Sequence, residues 1–197
     1  MKYKEIRPEL RTGDIVLFRG RGVASLVIRW FCSLCRFKFT MYSHVGMVVR
    51  GRNRVLLFEA VPPKVRHVAL SDALEKYDGD VYIRQLRGQR TLKMLGDIRY
   101  FMHKQQGVPY EKDLLEFMGA ATPLHVGKAD NSDWFCSELV AKVYQMWGLI
   151  RGIPLAKEYC PDDFRLGGMI DHELKLFTDM HDLNGAYCLG SEIPIEK

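Results

Sequence analysis

The heptapeptide Trp134-Phe135-Cys136-Ser137-Glu138-Leu139-Val140 constrains this chain more than any other stretch, because it sets a cysteine where a helix begins. Asn131, Ser132 and Asp133 precede it, and all three are residue types that cap helices. Beyond Cys136 the apolar residues Leu139, Val140, Val143, Tyr144 and Trp147 recur at helical spacing, and Gly148 is a natural stop. A thiol in the first turn of a helix faces backbone N–H groups without intrahelical partners and the positive end of the macrodipole, which favours the thiolate. The same N–H groups can bind the oxyanion that forms when a thiolate attacks a carbonyl. Most buried cysteines only fill space. The chain must therefore also supply a base and a group that orients it.

His44 and Glu59 fit those roles. His44 opens the run Ser43-His44-Val45-Gly46-Met47-Val48-Val49, and Glu59 lies in Leu57-Phe58-Glu59-Ala60-Val61. Both runs are β-rich, Gly51-Arg52-Asn53 separates them, and both polar residues interrupt apolar surroundings. A hairpin turn centred on Gly51-Arg52 pairs His44 directly with Glu59, with Cβ atoms about 4.5–5.5 Å apart. A carboxylate there holds one imidazole nitrogen and leaves the other to face a thiol. A one-residue slip would send the two to opposite faces. Among the six histidines, only His44 gains a partner from such pairing.

The 197 residues suffice for one domain with a full core, and we expect a single domain over 1–197. A 47% hydrophobic and 27% charged composition is that of a globular protein, and a net charge of +5 without clustered Lys and Arg does not indicate nucleic-acid binding. Five cysteines, an odd number, argue against a closed disulfide framework. The start, Met1-Lys2-Tyr3-Lys4-Glu5, has no apolar signal region, so the expected location is cytoplasmic with reduced thiols. No apolar run reaches the roughly 18 residues of a membrane span. The nearest approach is Val23 to Phe39, interrupted by Arg29, Arg36 and Lys38, with Val23, Leu26, Val27, Trp30, Phe31 and Leu34 on one helical face. That face either packs on the core or makes a basic amphipathic helix in peripheral contact with a membrane or beside a lipid-like substrate.

Asp14 to Phe18 reads as a buried strand between Gly13 and Gly20, followed by the helix from Val23. His44 to Arg50, Arg54 to Val61, Lys64 to Leu70 and Val81 to Leu86 read as strands, and Ser71 as the cap of a short helix ending near Asp78-Gly79. Thr91 to Gln106 is a helix with Leu95, Ile98, Phe101 and Met102 inward, closed by Gly107 and Pro109, and a short helix is expected from Glu111 to Met118. Strands first with helices flanking them make an α+β fold.

Four motifs occur in fixed order: Gly13-Asp14-Ile15-Val16-Leu17-Phe18, Ser43-His44-Val45-Gly46-Met47-Val48-Val49, Phe58-Glu59-Ala60 and Phe135-Cys136-Ser137-Glu138-Leu139-Val140. In this the chain resembles the permuted papain-like enzymes of the NlpC superfamily, and within it the YiiX-like (YaeF/YiiX) amidase group, over about residues 12 to 165. The order histidine, glutamate, cysteine is the mark of the permuted group. The resemblance implies a small antiparallel barrel-like sheet packed on the cysteine helix, with Cys136 as nucleophile, His44 as base and Glu59 as orienting acid. Gly107-Val108-Pro109-Tyr110 is similar to the element that supplies an oxyanion-hole tyrosine in NlpC-type enzymes, although a packing tyrosine reads the same way. Pro161-Asp162-Asp163-Phe164 is similar to a structural Pro-x-Asp element of the group. The extension from about 167 to 197 carries no family motif.

Cys32-Ser33-Leu34-Cys35 lacks the second pair that a zinc site needs and reads as helix packing, so no metal site is expected. There is no P-loop and no Gly-x-Gly-x-x-Gly, so no nucleotide site and no cofactor is expected. The reading is a cysteine hydrolase cleaving an amide or ester in a small-molecule, peptide or lipid-like substrate. Two alternatives stand beside it: a lipid acyltransferase or phospholipase-like activity with the same triad, and a non-catalytic lipid- or peptide-binding module.

Overall fold

The structure, a computed structural model, describes residues 1–110, 134–152, 154–181 and 187–196. The expected helix at Glu111–Met118 and the capping candidates Asn131, Ser132 and Asp133 lie outside the described residues. The elements in chain order are α1 (Tyr3–Ile6), β1 (Ile15–Gly20), α2 (Val23–Arg36), β2 (His44–Arg50), β3 (Val55–Val61), β4 (Lys64–Ala69), α3 (Leu70–Lys76), β5 (Gly79–Arg84), α4 (Leu92–Gln105), α5 (Cys136–Met146), two 3₁₀ turns (Ala156–Glu158 and Pro161–Phe164), α6 (Met169–His181) and β6 (Ile193–Ile195). The α+β class holds. The six strands form one antiparallel sheet in the order β4-β3-β2-β1-β5-β6.

Period-two alternation gives the sheet two apolar faces. Ile15, Leu17, Val45, Met47, Phe58 and Ala60 face α5, where Leu139, Val140 and Val143 meet them. Val16, Phe18, Val48, Leu57, Val81 and Ile83 face the other way, onto Leu70 and Leu74 of α3. Helix α5 ends in a Schellman arrangement: Gly148 has φ +69° and donates to Gln145, while Leu149 donates to Tyr144 at 3.0 Å. Thr91 caps α4 by accepting from Met94 N at 3.1 Å, but the inner face of α4 is Met94, Ile98 and Phe101 rather than Leu95. The cap of α3 is Ala69, and Ser71, expected to cap it, instead bonds Asp72.

The C-terminal extension completes the far side of the sheet. Its β6 pairs with β5. Arg84, fully buried, donates to the carbonyls of Phe164, Arg165, Leu189 and Gly190 and pairs with Asp171 at 2.9 Å. Five oxygens around one guanidinium compensate its burial and pin the extension to the core.

Candidate active site

The sheet face that carries α3 also carries the candidate base and acid. His44 and Glu59 have the parity of Val48 and Leu57, so they share that face. Their strands pair as Met47↔Phe58 through Arg50↔Val55, with Gly51 N donating to Arg54 O. The turn is thus centred on Arg52-Asn53, two residues of register away from the pairing expected from sequence. A two-residue shift preserves the face. His44 and Glu59 become diagonal neighbours rather than a facing pair, and Glu59 falls opposite Gly46. A side chain at Gly46 would begin 2.6 Å from Leu57 Cδ1 and 3.4 Å from Glu59 Cβ. The bare glycine therefore leaves the carboxylate its path to the imidazole.

His44 Nε2 and Glu59 Oε2 are 2.7 Å apart. On its other flank His44 stands opposite Phe18 of β1, ring centroids 5.1 Å apart. Glu59 is held from the opposite side as well. Arg66 of β4 faces it directly, with Nε 2.9 Å from Glu59 Oε1. Arg66 is absent from the sequence-derived site, although the signal was available: the two-residue turn Pro62-Pro63 joins Val61 to Lys64 and puts residue 66 across from residue 59.

Cys136 occupies the first position of α5, and its N-cap is Phe135 in extended conformation. The helix start is closed from within, as Glu138 Oε2 reaches back to Phe135 N at 3.5 Å. With Nε2 bound to Glu59, His44 has Nδ1 left to serve the thiol of Cys136, which lines the same cavity. Burial opposes charge on the ring, but the sulfur of Cys136 and the carboxylate of Glu59 outweigh it and push the His44 pKa up to about 10. Burial likewise opposes ionisation of Glu59, and His44 and Arg66 outweigh it, holding the carboxyl below its ordinary range.

The loop that delivers His44 is anchored by the second 3₁₀ turn. Asp162 Oδ1 accepts from Met41 N at 2.6 Å and Tyr42 N at 3.2 Å, and Asp163 pairs with Arg36 of α2 at 2.7 Å. The structural role expected of Pro161–Phe164 is the one these bonds describe. Cys32 and Cys160 are fully buried together with Phe31. The neighbouring Cys160 thiol, together with burial, raises the Cys32 thiol, which is a packing environment rather than a reactive one.

Cys136, His44 and Glu59 open into a cavity of about 620 Å³. Phe18, Val61 and Val68 line it from the sheet, Ala24 and Ile28 from α2, Ala73 from α3 and Tyr77 from just beyond it. Tyr110 also lines it, with its ring edge-on to Phe135 at 5.9 Å and its backbone N bonded to Pro63 O. The structure thus brings all four sequence-derived residues to one cavity. Ser137 Oγ, beside the thiol, is buried without a protein hydrogen-bond partner. Among the described residues, none from 167 onward lines this cavity.

No family model matches this chain, and no curated protein matches it. Its fold is similar to the crystal structure of the metalloprotein YiiX from Escherichia coli O157:H7. The TM-score is 0.53 and the identity 18%, over 95% of this chain and 97% of that one. At that identity the likeness is one of fold, and the site must be argued from its own residues. Among the described residues here, no group of three or more His, Cys, Asp or Glu side chains is placed to hold a metal ion. No described helix is long and apolar enough to cross a membrane.

Proposed function

We propose that this chain is a cysteine hydrolase of the permuted papain type, one domain over 1–197, which cleaves an amide or ester through an acyl-enzyme on Cys136. The observation that carries the reading is a helix-start thiol that shares one cavity with an imidazole whose Nε2 is held by a buried carboxylate at 2.7 Å. A packing cysteine needs no such partner. The chain order His44, Glu59, Cys136 is that of the permuted group.

In this mechanism the Cys136 thiolate, paired with the His44 imidazolium, attacks the carbonyl carbon. The carbonyl electrons move to oxygen, and the oxyanion is met by the Cys136 backbone N–H in the first turn and by Tyr110. Collapse expels the amine or alcohol, which takes the proton of His44. The neutral imidazole then removes a proton from water, whose oxygen attacks the thioester carbonyl. The acid departs and the thiolate and imidazolium are restored. Glu59 keeps the ring oriented and stabilises its charge, and Arg66 keeps Glu59 in place. The mostly apolar walls suit an acyl group rather than a charged one.

Reactive-thiol mapping tests the reading. Alkylation rate follows thiolate character and access, so it reports which thiol the site activates. Limiting iodoacetamide followed by mass spectrometry is expected to label Cys136 first among the five cysteines. Preferential labelling of Cys32, Cys35, Cys160 or Cys188 counts against the triad.

A pH profile tests Glu59. The imidazolium is the proton donor, so activity should persist through neutral pH and fall as pH rises through about 10. Glu59→Gln removes one of the charges that raise His44, so the alkaline limb of kcat/KM should move to lower pH. The rate should fall on the order of 10- to 1000-fold, since loss of an orienting acid costs up to about 10⁴. Arg66→Gln removes a cation that holds Glu59 rather than a charge that raises His44, so it should lower the rate more weakly without moving the alkaline limb to lower pH. An unmoved alkaline limb in Glu59→Gln would remove Glu59 from the mechanism.

A further inference from the structure

The helix that walls the cavity keeps its apolar face in solvent. Of the face expected to be continuous from sequence, Phe31 alone turns inward, at 2% exposure. Val23, Leu26, Val27, Trp30 and Leu34 are all exposed, Trp30 by 68%, and the spacings of three and four between neighbours put them in one stripe along α2. The stripe runs on into Phe37-Lys38-Phe39, where Phe37 is 87% exposed and holds the left-handed C-cap position at φ 48°. Seven of the thirteen large hydrophobic residues exposed among the described residues fall within positions 23–39. Packing on the core, one of the two readings of this helix, therefore does not hold for its apolar face.

Two observations choose the occupant. The first is area. A helix of 14 residues is about 21 Å long and, at a width of roughly 10 Å, offers a footprint of about 200 Å². A stable protein interface needs about 800 Å² from each partner. A second copy of this chain would be held too weakly by the stripe, whereas a bilayer interface demands no matching shape and accepts an apolar face to a depth of about 5–10 Å. The second is charge. No acidic residue occurs between Asp14 and Glu59, while Arg19, Arg21, Arg29, Arg36 and Lys38 lie before, within and after the helix. Arg36 is engaged with Asp163 and Arg21 with Asp80, but Lys38 stands exposed between two exposed phenylalanines. An aromatic pair flanking a cation at the end of an apolar stripe matches the boundary between acyl chains and anionic headgroups.

We propose that α2 and the segment Phe37-Lys38-Phe39 form a docking surface for an anionic lipid bilayer. Ala24, Ser25 and Ile28, on the inner side of the same helix, line the cavity that holds Cys136. A chain docked by this stripe therefore has only the thickness of one helix between the membrane surface and the thiol. The docking stands on the exposed stripe alone and does not depend on the hydrolase reading.

The test is sedimentation of the full chain with vesicles of phosphatidylcholine alone and of phosphatidylcholine with an equal part of phosphatidylglycerol. Binding is expected to the anionic vesicles, stronger than to the neutral ones and weakened by salt, with a blue-shifted Trp30 emission that Trp30→Ser abolishes. Trp30→Ser combined with Phe37→Asn should weaken binding roughly 10- to 100-fold, the scale set by two large apolar side chains left in water. Phe37→Asn alone serves where the double variant fails to fold, because asparagine accepts the left-handed cap more readily than phenylalanine. Absence of binding to either vesicle overturns the proposal. So does binding that the substitutions leave unchanged, or a monomer-to-dimer equilibrium that they abolish, which would assign the stripe to a second copy. Cys136→Ala should bind as the wild type does. Docking without turnover would refute the hydrolase alone, and turnover with no docking would refute the docking alone.

Discussion

Cys136→Ala is expected to abolish turnover while leaving the fold intact. Among the described residues that line the cavity, Cys136 carries the one thiol. Ser137 is adjacent in sequence and its hydroxyl is buried without a protein hydrogen-bond partner. It lines the same cavity, but a neutral hydroxyl is a far weaker nucleophile than a thiolate, and one residue along a helix sets it about 100° from the direction of Cys136. The loss should be on the order of 10⁴- to 10⁶-fold, the scale seen when the nucleophile of a catalytic triad is removed. Stability should change little, since one sulfur is removed at a cavity wall rather than from the packed centre of α5. A second readout belongs to the ion pair itself. Of the influences that raise His44 toward about 10, those of Cys136 are the largest. In Cys136→Ala the ring should titrate at lower pH, followed by NMR of the histidine protons. Circular dichroism is the folding control. A folded Cys136→Ala protein with wild-type turnover would refute the mechanism.

How far the sequence carried this site depends on how local each signal is. Cys136 was legible because a helix start is written in a few neighbouring residues: the apolar spacing after it, Glu138 three residues beyond Phe135, and Gly148 at the end. Its capping residue was not, because Phe135 has no side chain of a capping type, and the helix start is closed instead by Glu138. His44 and Glu59 were legible as partners because the side-chain period of a strand preserves the face under any even shift. Their register was not, because Gly51-Arg52 and Arg52-Asn53 are both acceptable turn centres and only the Gly51–Arg54 hydrogen bond decides between them. Arg66 is not legible from the strand that carries the acid, because the facing strand supplies the cation that holds it. The outward apolar face of α2 was ambiguous for a physical reason. An amphipathic pattern states that one face is apolar and says nothing about what covers it.

His44→Ala should be nearly as damaging as loss of the thiol, because two steps lose their proton carrier. The thiolate loses the cation that stabilises it, and the leaving group loses its acid. A loss on the order of 10³- to 10⁵-fold is expected, since general acid–base catalysis alone contributes about 10² to 10⁴ and the ion pair adds to it. The alanine variant also deprives Glu59, 3% exposed, of one of its two partners, so its carboxyl should move up and the fold should weaken somewhat. Arg66 remains as its ion-pair partner, so folding should survive. His44→Gln separates the two consequences, because an amide can still donate to Glu59 but cannot shuttle a proton. It should be more stable than His44→Ala and equally inactive. In both variants the labelling of Cys136 should slow, and added imidazole should recover part of the activity in His44→Ala, where the ring has left space beside the cavity. Turnover, labelling rate and thermal unfolding of the two variants make the measurement. Wild-type turnover in a folded His44→Gln protein, or labelling of Cys136 that neither substitution slows, would show that the imidazole does not activate the thiol.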